Sequence, residues 1–423
     1  MKILAVGDGA RLTSGFGRVM RETLSYAVRQ GHQVVQIAAL DAAPVSDPAW
    51  YVGRGITPIL PAGADTVGMD LFGPAIVHHR PDVILAIGDA ITVAQWCEQR
   101  RRLPAGIDVP PVVAYVPIEG APLNPRIVEA LKRPDVLITC TQWGSAQCEM
   151  MLGHPVPYVY HGVRAGEWLM APGWNRESVR ASLGWAPDDV VLTYVARNQM
   201  RKSQDKLIEA LAILRAKGYP CRLYLHCAPW ERGWNGGWNL HDIAEAEGVA
   251  EYVQFPALNT AVHGVGVATL AERLAAADLY VHPSKVEGFG LPLVEAMAVG
   301  LPVIATMDRG NMTEIVEAFG LLMPADYWDT WHNGARLACV KAETIAGYVE
   351  YAIDQMRAGP EWPFPRQEGR LPCGQSGSSA RRQPPWCWLA RPCRRRRCGP
   401  RCCARRCSRN GAGRNTATPC ARA

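Results

Sequence analysis

No uncharged apolar run in this chain approaches the about 20 residues needed to span a bilayer. The opening MKILAVGDGARL has an apolar stretch broken at Asp8, too short for a secretory leader. The expectation is therefore a cytoplasmic protein, at most peripheral to a membrane. Metal-type spacing is also lacking. Cys97, Cys140, Cys148, Cys221, Cys227 and Cys339 are scattered without pairing, and no Cys or acid joins His226 and His241 at a ligand interval. The six thiols read as reduced and mostly buried. Acid is missing where base is densest. Residues 366–423 hold 15 of the 45 Lys and Arg but only Glu368 of the 39 Asp and Glu, so this tail carries +14 and the remainder −8. A mildly acidic body gives no reason to expect a nucleic-acid groove, and no specific nucleic-acid partner is expected.

At 423 residues, 48% hydrophobic and 20% charged, the composition is that of a globular protein with two domains. Apolar runs alternate with helical stretches. KILAV (2–6), QVVQIAAL (33–40), DVILAI (82–87), PVVAYV (111–116) and DVLIT (135–139) read as strands, and MRETLSYAVRQG, TQWGSAQCEMMLG and AETIAGYVEYAIDQM (342–356) as helices. Such alternation implies an α/β fold with parallel sheets. VPYVYHGV (156–163) reads as a further strand, and GLLMP as the last. Gly7 and Gly9 begin a dinucleotide fingerprint, with Asp41 after the second strand where a ribose-binding acid belongs. Leu12 stands at the third glycine position, which leaves nicotinamide binding as a rival reading.

The stretch Val281 to Glu295, VHPSKVEGFGLPLVE, is the most informative. Gly288 and Gly290 permit close backbone approach, and Pro292 suits the first turn of a helix, where its missing N–H is not needed. Free N–H groups at such a helix start attract anions, most often phosphate. Glu287 in the loop and Glu295 within the helix could share one ligand.

Glu287, seven residues, then Glu295, within EGFGLPLVEAMAVGLPVIA, resembles the signature of the group 1 (family 4) retaining glycosyltransferases of GT-B fold. The resemblance covers most of residues 1–356. It implies two facing Rossmann-like domains with parallel sheets, a nucleotide-sugar donor held by the C-terminal one, and neither metal nor other cofactor. The absence of any Asp-X-Asp agrees with a metal-independent class. Carried onto this chain, the resemblance assigns Glu287 to the donor sugar and Glu295 to the nucleotide ribose. Gly288, Phe289 and Gly290 join the donor loop. Arg197 and Lys202, after the strand DVVLTYVA, match a Gly-Arg, four residues, Lys pattern with Ala196 in place of Gly, and would hold the diphosphate. Glu287, Arg197 and Lys202 are the catalytic candidates. Gly310 and Asn311, in a loop whose N–H groups through Thr313 would face the diphosphate, and Gly15 and Gly17 of SGFGR are further donor contacts. The resemblance turns SGFGR toward the donor phosphates or the acceptor; its other reading is a helix-start turn. Glu119, where many family members place a His, is a candidate sugar or acceptor contact. Trp234, Trp238 and Asn239 could meet a base or a sugar.

Tyr160 to Val163 resembles the turn that closes the family's first domain, and Pro172 to Trp174 reads as a linker. The expected division is residues 1–172 for the N-terminal, acceptor-side domain, 173–356 for the donor domain, and 357–423 for an unstructured tail. That tail, dominated by Arg, Cys, Pro, Gly and Ala, has no helical or strand period and too little apolar area to fold. It has the composition of a GC-rich coding stretch read out of frame. We hypothesise a frameshift, which an intact reading frame with matching downstream homologues would contradict; a zinc cluster at Cys393, Cys398, Cys402 and Cys407 is the functional alternative. The function expected is transfer of a hexose from a nucleotide-diphosphate sugar to a hydroxyl of a carbohydrate, lipid or other acceptor, with retention of configuration, in carbohydrate biosynthesis. The alternative is a non-catalytic or truncated relative that binds sugar or nucleotide.

Overall fold

A computed structural model describes residues 1–41, 47–62, 65–231, 236–257, 265–331 and 333–358. Trp234 and the tail, with its cysteines, lie outside the described residues.

The apolar runs become two parallel sheets. β1 (Lys2–Asp8), β2 (Gln33–Ala39), β3 (Ile56–Ile59), β4 (Val83–Ile87), β5 (Val112–Val116) and β6 (Val136–Thr139) form the first, ordered β3-β2-β1-β4-β5-β6. β7 (Val190–Val195), β8 (Cys221–His226), β9 (Val253–Gln254), β10 (Leu279–His282), β11 (Val303–Met307) and β12 (Leu321–Pro324) form the second, ordered β12-β11-β10-β7-β8-β9. Counted from its own first strand, each sheet has the same doubly wound order, reversing between β1 and β4 in one and β7 and β10 in the other. Ligands of such sheets bind outside the carboxyl ends of the strands at that reversal. The two Rossmann-like domains of the GT-B architecture are therefore present.

Helices cover the sheets along the stripes their sequences predict. Gln204–Ala216 buries Leu207, Ala210, Leu211 and Leu214, each leucine contributing about 1.5–3 kcal/mol. Gln142–Leu152 is capped by the Thr141 hydroxyl and stops at Gly153, which has φ 76°. Gly15–Arg29 begins earlier than expected, because Ser14 accepts a hydrogen bond from the Gly17 N–H. SGFGR is thus a helix start. Gly17 has no room for a side chain, since a Cβ there would lie 2.8 Å from the Leu12 carbonyl oxygen and 2.9 Å from that of Gly9.

Two expectations need correction. Residues 156–163 form no strand and make only an isolated bridge between Thr139 and Tyr158, while Tyr160 and His161 engage Glu314, Tyr115 and Phe289. GLLMP is not the last strand either: an antiparallel hairpin follows, β13 (Tyr327–Thr330) with β14 (Arg336–Cys339). It reaches the other domain, where the Asn124 side-chain amide donates to the Asn333 carbonyl at 2.5 Å and the Arg336 N–H to the Ala121 carbonyl at 2.8 Å.

Candidate active site

β10 ends at His282, and its exit loop carries Glu287 toward the seam between the domains. The Glu287 carboxylate is buried, with Lys202 Nζ at 2.5 Å and His282 Nε2 at 3.0 Å from Oε1, and Arg201 Nη1 at 3.7 Å from Oε2. Burial alone would push the Glu287 carboxyl up, but Lys202, His282 and Arg201 outweigh it and hold the group well below the usual carboxylate range. Burial pushes Lys202 and His282 down, with Glu287 opposing in both cases. A neutral His282 must carry its proton on Nε2, since a carboxylate only accepts. Arg201 is the link to the first domain, with Nη2 3.7 Å from Glu119 Oε1. Glu119 also packs near Gly288, where a Cβ would lie 3.3 Å from Glu119 Cγ. The structure thus brings Glu119, Arg201, Lys202, His282 and Glu287 to one point.

Arg197, grouped with Lys202 by sequence, is placed differently. It lies at the rim, its side chain 60% exposed and ion-paired with Glu231. Between them, the buried Asn198 side chain donates to the carbonyls of Ala228, Pro229 and Trp238 and accepts from the Trp238 N–H. This fastens the Arg197–Lys202 loop to the segment bearing Trp238 and Asn239, and leaves the Trp238 side chain partly exposed.

The helix Leu291–Ala298 begins at Gly290, in the left-handed region at φ 93°, with Pro292 in its first turn as expected. Glu295 is only 1% exposed and ion-pairs with Arg18 of the opposite domain. Burial raises its carboxyl pKa, with Arg18 opposing. Gly15 faces this helix too, its Cβ direction leading to Leu291 Cδ1 at 3.8 Å.

Asn311 is enclosed in the seam. Its amide accepts from the Thr141 hydroxyl at 2.6 Å and donates to the carbonyls of Ile118 and Glu287, both at 2.7 Å. Glu314 accepts from the Gln142 and Trp143 N–H groups, capping a helix of the other domain. The Cys140 thiol donates to the Gly288 carbonyl. The expectation that N–H groups of 310–313 face a ligand needs revision, because Asp308 accepts from Gly310, Met312 and Thr313 N–H and from the Thr313 hydroxyl. Its carboxylate already fills that position.

The nicotinamide rival loses its ribose acid. Asp41 is buried, accepting from Arg11 Nε at 3.1 Å, Arg11 Nη2 at 2.6 Å and the Tyr51 hydroxyl at 2.5 Å. A Cβ at Gly9 would lie 2.6 Å from both Asp41 Cβ and Tyr51 Oη, so protein atoms close that space. His226 and His241 have protein partners, Tyr224 and Phe255 respectively. All six body cysteines are free and buried.

Sequence spacing singled out Glu287, Glu295 and Lys202 but missed Arg201, His282, Asn198 and Thr141. Arg201 adjoins Lys202 and His282 opens the HPS turn, which are the local signals available. Thr141 meets Asn311 from 170 residues away.

The family profile described as "Glycosyl transferases group 1" matches residues 175–354. A D-inositol 3-phosphate glycosyltransferase of Geodermatophilus obscurus is 38% identical over 165 residues, covering 37% of this chain and 35% of that protein. The protein of the same name from Rhodococcus erythropolis is 36% identical over 177 residues, covering 41% and 38%. The matches thus span little more than a third of the length of these curated relatives. Among solved structures, Anabaena Alr3699/HepE in complex with UDP-glucose has a TM-score of 0.64 at 18% identity, over 84% of this chain and 91% of that one. Sucrose-phosphate synthase from Thermosynechococcus elongatus has a TM-score of 0.63 at 19% identity, over 86% and 91%. These likenesses show the shared two-domain fold.

Proposed function

We propose, from the match of residues 175–354 to the group 1 glycosyl transferases, that this chain moves a sugar from a nucleotide-diphosphate donor to a hydroxyl acceptor with retention of configuration and without a metal. The observation that carries this reading is the buried, charged Glu287, held by Lys202, Arg201 and His282 and facing Glu119 across the domain seam. In the transfer, the acceptor oxygen bonds to the anomeric carbon as the bond from that carbon to the diphosphate oxygen breaks. The electron pair leaves with the diphosphate, and the hydroxyl proton passes to the departing oxygen. Negative charge therefore grows on phosphate oxygens, and preplaced cations stabilise it without reorganising. Lys202 supplies such a charge at the floor of the cleft, and Arg197 at the rim exchanges Glu231 for phosphate. Glu287 holds the sugar hydroxyls, and Glu295 exchanges Arg18 for the ribose.

The fold neighbour that holds UDP-glucose makes a uridine donor the first to try. The test is release of nucleoside diphosphate from UDP-, GDP- and ADP-sugars, in the presence of a panel of sugar and polyol hydroxyl acceptors, by the full chain and by Glu287→Gln. One donor should be turned over, with release falling about 100- to 1,000-fold in the variant while the donor still binds. Equal release by both proteins would remove Glu287 from the chemistry. Donor binding without release in the wild type would indicate the non-catalytic alternative. The anomeric configuration of the product, read by NMR, decides retention.

A further inference from the structure

Beside the Glu287 loop, between the domains, lies a cavity of about 310 Å³. Small-ligand sites commonly measure roughly 300–1,000 Å³, so it can take one sugar-sized molecule. Its position relative to the reaction follows from two lining residues, since Val286 directly precedes Glu287 and Gly120 directly follows Glu119. The cavity wall is therefore continuous with the two loops that carry those carboxylates.

The charge of the cavity is one-sided. Lys285, Arg309 and Arg336 all line it, and no carboxylate among the described residues forms an ion pair with any of the three. The one acid on its wall, Asp308, has its oxygens turned to the N–H groups of Gly310, Met312 and Thr313. The cations also come from separate places: Lys285 from the β10 exit, Arg309 from the β11 exit, and Arg336 from the hairpin that reaches the first domain. Convergence of three unpaired cations in a recess raises the local attraction for an anion. Two indoles, Trp143 of the first domain and Trp328 of the hairpin, provide apolar walls, with the Arg309 guanidinium 5.8 Å from the centre of the Trp328 ring. Such walls suit the C–H face of a sugar or polyol ring.

We infer that this cavity seats the acceptor, and that the acceptor is an anionic sugar or polyol carrying a phosphate or carboxylate, bound by Lys285, Arg309 and Arg336. The inference rests on the glycosyltransferase reading for the fate of the hydroxyl; the anion site itself does not depend on it. The hairpin β13–β14 then has a definite role, since it contributes both a cation and an indole to a wall shared with the first domain.

The experiment is calorimetric titration of the full chain with glucose 6-phosphate, inositol 3-phosphate and glucuronate, each beside its uncharged parent sugar or polyol. The same titrations are made on Arg336→Ala, Lys285→Ala and Arg336→Lys, with UDP-glucose titrated in parallel. At least one charged compound should bind and its parent should not. Either alanine variant should weaken that binding about tenfold to a hundredfold, the scale of one charge-assisted hydrogen bond, while Arg336→Lys retains most of it and UDP-glucose binding is unchanged. Arg336 is exposed and its side chain does not enter the core, so its alanine variant should fold; cooperative unfolding verifies this. Absence of binding by every charged compound, with UDP-glucose still bound, overturns the acceptor site alone. Binding indifferent to Arg336 and Lys285 overturns it too, and points to the Arg-rich tail. Charged compounds bound as expected, but no donor bound or turned over, support the anion site and overturn the glycosyltransferase reading.

Discussion

The two domains repeat one sheet order, yet the reversals of their strand order have opposite character. At the first, between β1 and β4, the chain satisfies its own polar groups. Ser14 and Asp89 cap their helices, and Asp41 is closed by Arg11 and Tyr51. At the second, between β7 and β10, Lys202, Arg201 and His282 surround one buried carboxylate at the domain seam, and Arg197 stands exposed at the rim. A doubly wound sheet provides a crevice at each reversal, but here only the second gathers several cations, paired with Glu119, Glu231 and Glu287, that an anionic ligand could re-partner.

The largest test of this contrast is Lys202→Met. Removing one member of a buried, hydrogen-bonded charge pair costs about 3–5 kcal/mol, and donor turnover should vanish with it. Denaturant unfolding and nucleoside diphosphate release check the two effects; a stable, active variant would contradict the role given to Lys202. In the first domain, Tyr51→Phe should cost about 1–3 kcal/mol by leaving Asp41 a donor short, yet leave donor affinity unchanged. Loss of donor binding in that variant would reverse the comparison. Asn311→Ala should cost a similar amount while loosening the seam, read as faster hydrogen exchange in both domains at once.

Acid should expose a further difference. His161 is half-buried against Tyr115 and Phe289, and His226 is buried beside Tyr224; desolvation pushes them down to about 3 and about 4. Between the unfolded value near 6.5 and these folded values, the unfolded chain binds more protons, so stability falls as pH falls through that window. Each histidine contributes a slope of up to about 1.4 kcal/mol per pH unit. Glu287 acts lower. Its depressed pKa gives stability that is full above the unfolded carboxylate value and is lost as pH falls through the folded one. Thermal midpoints from pH 7 to 5 should decline, and less steeply in His161→Gln; an unchanged slope would mean that His161 is not held neutral. The smallest structural effect belongs to Arg197→Ala. Arg197 is 60% exposed although Glu231 is only 9% exposed, so losing the pair should cost about 1 kcal/mol and move the midpoint little while donor affinity drops.

What the sequence revealed and concealed follows the same division. Strands came through because buried parallel strands are short apolar runs, and the start of the Leu291–Ala298 helix because Pro292 marks it. The Glu287 and Glu295 pair was visible as a spacing, but not the burial of Glu295, whose partner Arg18 belongs to the other domain. Arg201 was hidden beside Lys202, since neighbouring cations give no sign of which side chain reaches inward. The hairpin escaped because YWDT and RLAC are each four residues long, and their apolar side packs in a small cluster with Val286 and Trp331. Residues 156–163 misled in the other direction. Their aromatic and β-branched content suits a strand, yet Tyr160 and His161 are spent on contacts at the seam.

The most direct measurement is thermal unfolding of the full chain with UDP-, GDP- and ADP-sugars in turn, repeated on Arg197→Ala and Tyr51→Phe. A ligand at 100 times its dissociation constant adds about 2.7 kcal/mol, a shift easily seen. The account predicts that one sugar nucleotide raises the midpoint, that the rise is lost in Arg197→Ala, and that it persists in Tyr51→Phe. A rise lost with Tyr51 and kept without Arg197, or no rise with any donor in a protein that melts cooperatively, would contradict a donor site at the second reversal.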